Sequence, residues 1–297
     1  MQQRIVILGG SGFIGGSLSR PLSSLGQGRI VQAFSSQDCN LLFPDSINRS
    51  LAGICQKDIL IFSSAISRLK ENTPDSMLKN IQMAQNLARF LIQHPVKQLI
   101  FFSSVDVYGC EKKDSISLPL SEGSPYQPDD CYALGKVASE LFLEMTLKEQ
   151  NIPLAILRFP GVYGPGDGQK SLVGLFMRKA LKEKMITVFG DGKQLRNYTY
   201  VDDIAAVITE IMAHPLNGAV NVVSEKSYSI LQIAEMVKRV VNNGCRIDFK
   251  KVSQPPSRSL DIVFINQEFK RIFPRIHLRD LRQGIKEYHK SLMENGA

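Results

Sequence analysis

Cysteine is scarce and unpatterned in this 297-residue chain: the five residues Cys39, Cys55, Cys110, Cys131 and Cys245 are odd in number and include no CxxC pair. That excludes a zinc ribbon and a disulfide framework and points to a reducing, cytoplasmic setting with no bound metal. Long apolar runs are missing too. None approaches the roughly 20 residues that a membrane-spanning helix needs. The opening MQQRIVILGG runs straight into a glycine-rich turn, unlike a signal peptide, so neither membrane nor leader is expected. Acidic side chains are in deficit, 28 against 36 Lys and Arg, and the formal charge of +8 favours an anionic partner. The basic residues are spread and no nucleic-acid motif accompanies them, which argues against DNA or RNA. Repeats and low-complexity segments are also missing, and 43% hydrophobic with 22% charged residues describes a globular protein with a sizeable core.

What is present is an alternation of short apolar runs with longer amphipathic stretches. Strands are expected at 4–8 (RIVIL), 29–34 (RIVQAF), 59–62 (ILIF), 98–103 (QLIFFS) and 154–159 (LAILRF), with helices at 15–25, 76–93 and 132–148. Strand and helix in alternation build a parallel sheet, and right-handed crossovers make it doubly wound. After Pro160 the pattern loosens into GVYGPGDG, a basic helix at 172–184, a strand at 186–189 and the turn GDGKQ. A helix at 201–213 and a strand at 219–223 should return to the sheet. The tail carries two helices, 231–242 and about 278–293, separated by SQPPSRS. The expected fold class is α/β, a doubly wound parallel sheet with a smaller, partly interleaved C-terminal domain. Residues 1–160 with 198–223 form the first part, and 161–197 with 224–297 the second, a ligand lying in the cleft between them.

Gly9-Gly10-Ser11-Gly12-Phe13-Ile14-Gly15 follows a strand at once and opens a helix. Glycines at this GxxGxxG spacing permit a tight turn and the close approach of a pyrophosphate. The helix start at Phe13, Ile14 and Gly15 offers it free N–H groups. A dinucleotide such as NAD or NADP is the expected cofactor. An acid normally closes the second strand and holds the ribose hydroxyls. Here RIVQAF ends in Ser35-Ser36-Gln37, with no carboxylate to repel a 2′-phosphate and no Arg or Lys to pair with it, so the choice of nucleotide stays open.

Tyr132 and Lys136, four residues apart in YALGK, project from one face of a helix. A tyrosine with an ordinary pKa near 10 is a poor base at neutral pH, but a neighbouring ammonium favours its phenolate. Tyr132 could then pass a proton to or from a hydroxyl while a nicotinamide handles the hydride.

The ordered motifs GGSGFIG, SSVDVYG, CYALGK, FPGVYGPG and FGDGKQLRNYTYVDD together resemble the extended short-chain dehydrogenase/reductases, in their NAD-dependent epimerase/dehydratase branch acting on nucleotide-diphosphate sugars. The resemblance implies a Rossmann fold and an enzyme with Ser104, Tyr132 and Lys136 as catalytic residues. It places Ser63, Ser64 and Ala65 along the cofactor, and Asn40 and Leu41 beside the adenine. Arg196 is implied at the substrate diphosphate. Arg258 resembles a second such arginine or is a solvated loop residue. Asp106 and Gly161 fall at substrate positions where the family often differs: Val105-Asp106 replaces an acidic pair, which disfavours 4,6-dehydration, and Gly161 replaces an asparagine. An epimerase or a 4-keto reductase moving a hydride at C4 remains, with a catalytically silent sensor or scaffold as the alternative. The resemblance further implies a homodimer built on helices 76–93 and 132–148, whose apolar faces could equally be core.

Overall fold

The computed structural model describes residues 2–26, 28–109, 119–251 and 261–294. The chain begins with β1 (Gln3–Leu8), α1 (Phe13–Ser24), β2 (Arg29–Phe34), α2 (Pro44–Ser50), β3 (Ile59–Phe62), α3 (Pro74–Gln93), β4 (Gln98–Ser104), α4 (Cys131–Glu149) and β5 (Leu154–Phe159). It continues through β6 (Gly161–Tyr163), α5 (Leu172–Lys182), β7 (Met185–Phe189), β8 (Leu195–Arg196) and β9 (Tyr198–Tyr200) to α6 (Asp203–Ala213) and β10 (Gly218–Asn221). The last elements are β11 (Tyr228–Ser229), α7 (Ile230–Val241), β12 (Arg246–Lys250), α8 (Gln267–Ile272) and α9 (Leu281–Glu294).

Two compact units emerge. The first takes Met1–Gly109, Pro125–Phe159 and Ala205–Asn221. Its six strands pair in parallel in the order β10-β5-β4-β3-β1-β2. Strands β3, β4 and β5 are largely apolar and buried along their whole length, as expected of a parallel sheet covered on both faces. One face carries Val6, Leu8, Leu60, Phe62, Leu99 and Phe101, packed with Leu87 and Leu91 of α3 and Leu143 and Leu147 of α4. Helix α3 starts at a capping box between Thr73 and Ser76 with Pro74 behind the cap, and α4 starts at Asp130, whose carboxylate accepts the Ala133 N–H at 2.7 Å. The expected alternation of strand and helix is therefore present, with ends displaced by a residue or two.

The second unit takes Cys110–Ser124, Pro160–Ile204 and Val222–Ala297. Among the described residues it holds three two-stranded pairings, β6 with β9, β7 with β12 and β8 with β11. Its core gathers Tyr163, Phe176, Ile186, Ile233, Ile285 and Tyr288. The tail departs from the two-helix expectation: β12 and α8 lie between α7 and α9. Strand β12 (RIDFK) escapes notice because four of its five residues are exposed, which removes the apolar run that marks a buried strand. Among the described residues no helix is long and apolar enough to cross a membrane.

Candidate active site

The glycine turn joins β1 to α1, and its glycines have steric reasons. Gly9 has φ +92°, and a Cβ there would lie 2.8 Å from the Ser64 backbone nitrogen; one on Gly15 would lie 2.5 Å from Ser63 Oγ. Ser63 is held in turn, its N–H and hydroxyl both donating to the Leu8 carbonyl, at 3.0 and 2.8 Å. Ser63 and Ser64 thus close on the turn, with Ala65 exposed beyond them. Gly12 caps α1 without a side-chain hydrogen bond, and no acidic residue occupies the first turn. The opening amides of the helix, Phe13 to Gly15, present a small, positively polarised cradle that suits a pyrophosphate.

At the end of β2 a local turn brings in the acid that directly follows Ser35-Ser36-Gln37. The Asp38 carboxylate accepts the Ser35 N–H at 2.8 Å and the Ser35 hydroxyl at 2.6 Å, and these bonds hold it below the usual carboxylate range. The expectation of a strand end without an acid is corrected: a turn brings Asp38 back onto Ser35, with Ser36 exposed beside it. Asn40 folds its amide oxygen onto the Leu42 N–H at 3.1 Å, and the Leu41 carbonyl accepts from Asn86 at 2.9 Å.

The carboxyl ends of β3 and β4 and the start of α4 meet at the second cluster. Ser104 ends β4, and its hydroxyl accepts the Asp106 N–H at 3.2 Å, capping a single 3₁₀ turn, Val105–Tyr108. Tyr132 is the second residue of α4; its backbone N–H donates to Asn72 Oδ1 at 2.9 Å. One turn on, Lys136 is only 4% exposed. Its Nζ donates to the Phe102 carbonyl of β4 at 2.6 Å and lies 5.8 Å from the centre of the Tyr132 ring. Burial pushes this ammonium down to about 8, opposed by the Glu140 carboxylate.

Three features of the cluster were not singled out from sequence. Glu140, fully buried one turn beyond Lys136, forms an ion pair with Arg158 of β5 at 2.7 Å and accepts the Ser103 hydroxyl; Tyr126 donates to it at 2.8 Å. Arg158 also reaches the Tyr108 hydroxyl at 2.7 Å, and Tyr108 donates to Asn221 at 2.8 Å. A cation inside the apolar run LAILRF was the available signal. The third is Arg68, which hydrogen-bonds Asp106 at 2.7 Å and lies within ion-pair distance of Asp130, at 2.5 Å, while its guanidinium carbon stands 5.2 Å from the Tyr132 ring centre.

The model of the NAD dependent epimerase/dehydratase family matches residues 5–224, a span that includes the glycine cradle, Ser104 and the Tyr132 and Lys136 pair. The chain belongs to that family. Among curated relatives, a Bacillus subtilis (strain 168) protein described as an uncharacterized UDP-glucose epimerase, YtcB, is 27% identical over 68% of this chain and 63% of its own length. The chain thus spans under two thirds of that relative. A UDP-N-acetyl-alpha-D-glucosaminuronate decarboxylase of Bacillus cytotoxicus is 28% identical over 97% of both chains. The fold is that of the crystal structure of UDP-glucose 4-epimerase with UDP-glucose from Thermotoga maritima, with a TM-score of 0.86 and 21% identity over 98% of this chain and 99% of that one.

Within this epimerase/dehydratase chain the first unit holds every residue expected at the cofactor, together with Ser104, Asp106, Tyr132 and Lys136. Gly161 and Arg196 belong to the second unit. Gly161 pairs with Tyr198 across β6 and β9, and a Cβ at 161 would lie 2.6 Å from the Tyr198 ring. Tyr198 therefore occupies the space that a side chain at 161 would need. Arg196 donates to the Leu195 carbonyl at 2.8 Å. Arg258 lies outside the described residues.

Proposed function

We propose that this chain is an NAD(P)-dependent enzyme acting on a nucleotide-diphosphate sugar, an epimerase or a 4-keto reductase that moves a hydride at C4. The observation that carries the reading is Lys136, buried between β4 and the Tyr132 ring, with Ser104 ending the same strand. The bound nicotinamide supplies the hydride acceptor or donor. Tyr132 takes the proton from the sugar hydroxyl, or returns it, through its phenol oxygen. Ser104 hydrogen-bonds that same sugar oxygen and orients it. Lys136 favours the phenolate and binds the nicotinamide ribose, because an ammonium with a pKa of about 8 still carries its charge at neutral pH. Gly9, Gly12 and the amides of Phe13, Ile14 and Gly15 hold the pyrophosphate. Asn40, Leu41 and the 63–65 run line the adenine and nicotinamide ends.

Asp38 argues for NAD over NADP, since a 2′-phosphate brought to Ser35 would meet its carboxylate. Residues 161–197 and 224–297 are assigned to the substrate, with Arg196, and Arg258 as a second, for its diphosphate. Asp106 and Gly161 line the sugar. The face formed by α3 and α4 is assigned to a homodimer.

The test pairs a variant with a bound-nucleotide assay. Tyr132→Phe should lower turnover of a UDP-hexose by about 10²- to 10⁴-fold with dinucleotide binding retained. Unchanged cellular function in that variant would replace the enzyme with a sensor or scaffold. NAD released near stoichiometrically on denaturing the purified wild type identifies the self-regenerating epimerase. Protein that purifies empty and prefers NADPH identifies the reductase.

A further inference from the structure

Arg68 was not among the residues expected to act, yet it meets two carboxylates and the ring of Tyr132. It stands in the segment between β3 and α3 and is 23% exposed. Its Nη2 meets Asp106, in the 3₁₀ turn after Ser104, and its Nε meets Asp130, the N-cap of α4. Its carbon stands 5.2 Å from the centre of the Tyr132 ring, within the range of a cation over an aromatic face. The same segment supplies Asn72, which takes the Tyr132 N–H. One short stretch therefore holds the backbone of Tyr132, faces its ring and ties down the turn that Ser104 caps.

We propose that Arg68 is a positioning residue for Tyr132: it sets the ring's orientation and offsets the two carboxylates that would otherwise oppose the phenolate. The inference rests on Tyr132 as the acid/base. Among the described residues, the charged groups placed over the Tyr132 ring are Arg68 from the β3–α3 segment and Lys136 on α4, with Asp106 from the turn after β4 and Asp130 at the start of α4 brought near by Arg68. Removing Arg68 takes away a cation and leaves two carboxylates beside the ring, and both changes raise the phenol's midpoint. Removing one carboxylate acts the opposite way. The pairing also commits Asp106. Its carboxylate cannot act as a free general acid while it is bound to Arg68, so the same contact steers the site away from elimination chemistry.

The test uses cofactor-free protein and no substrate. The near-ultraviolet tyrosinate absorbance of wild type minus Tyr132→Phe isolates Tyr132 from the other seven of the eight tyrosines. Arg68→Met should raise the isolated midpoint by about one pH unit, Arg68→Lys should raise it less, and Asp106→Asn should lower it. Midpoints that stay within experimental error in both Arg68→Met and Asp106→Asn overturn the proposal, whatever either variant does to thermal stability. Should Arg68→Met not fold, Arg68→Lys and Asp106→Asn still decide it, since a purely structural Arg68 leaves both midpoints where they were. Failure of the enzyme reading shows separately, as turnover that survives Tyr132→Phe.

Discussion

Lys136 holds its place through a balance that can be measured. Its ammonium has one carbonyl partner and two aromatic rings, those of Phe101 and Tyr132, but almost no water. Desolvation is the larger influence and lowers its pKa from 10.5 to about 8. Below about pH 8 the lysine is protonated in the folded and unfolded chain alike, and the whole cost of burying the charge is present. Between about 8 and 10.5 the unfolded chain holds more protons than the folded one, so stability rises with pH, and above 10.5 the cost is gone. Lys136→Met cannot titrate there. The stability of wild type relative to that variant should grow by about 3 kcal/mol across the window, read from denaturant midpoints at a series of pH values. A difference that does not vary with pH would mean that the ammonium is hydrated. The Tyr132 and Lys136 pair was legible from its spacing of four. Arg68 was not, because its partners lie 38 and 62 residues away in sequence and no local pattern links them.

Among the elements, α4 is tied to β4 and β5 by a polar cluster inside the hydrophobic layer. Glu140 of α4 meets Ser103 of β4 and Arg158 of β5, with Tyr126 and Tyr108 satisfying the remaining groups. The hydroxyls matter because a buried ion pair repays its desolvation only when its other hydrogen-bonding groups are satisfied. Glu140→Gln leaves Arg158 as an uncompensated buried charge and should cost about 3–5 kcal/mol. The double variant Glu140→Leu with Arg158→Met should recover most of that loss, measured by equilibrium unfolding. Because Ser103 precedes Ser104 and Glu140 follows Lys136 by one turn, the single variant should also depress turnover, while a double variant with restored stability would leave Ser104 less firmly held. Glu140 was legible after the fact as the residue four beyond Lys136. Arg158 of β5 left a signal as a cation inside LAILRF, but its pairing with Glu140 was not legible.

For the whole molecule, the six parallel strands were evident from short apolar runs alternating with helices; β3, β4 and β5 are buried throughout and so marked by composition, whereas the edge strand β2 is mostly exposed. The second unit was less legible: its strands are short, two to five residues, and its pairings join distant segments, such as β7 with β12 and β8 with β11. The outer side of α4 shows a stripe the sequence left undecided between core and interface. Leu87 of α3 is core, but Leu134, Leu141 and Met145 of α4 are 45%, 42% and 72% exposed, and Leu78 of α3 is 58% exposed. For the proposed homodimer, Leu141→Glu with Met145→Glu should halve the sedimenting mass without changing the circular dichroism. A wild type that sediments as a monomer at micromolar concentration would remove the dimer.

The individual strands, the glycine turn, the Tyr132 and Lys136 pair and the strand end at Ser104 were readable from sequence, since each depends on residues within a few positions of one another. Only the folded chain settles that Tyr198 fills the space beside Gly161, that Glu140 meets Arg158 and that Arg68 stands over Tyr132. Burial and charge pairing act through space, and only the folded chain specifies which distant side chains share that space.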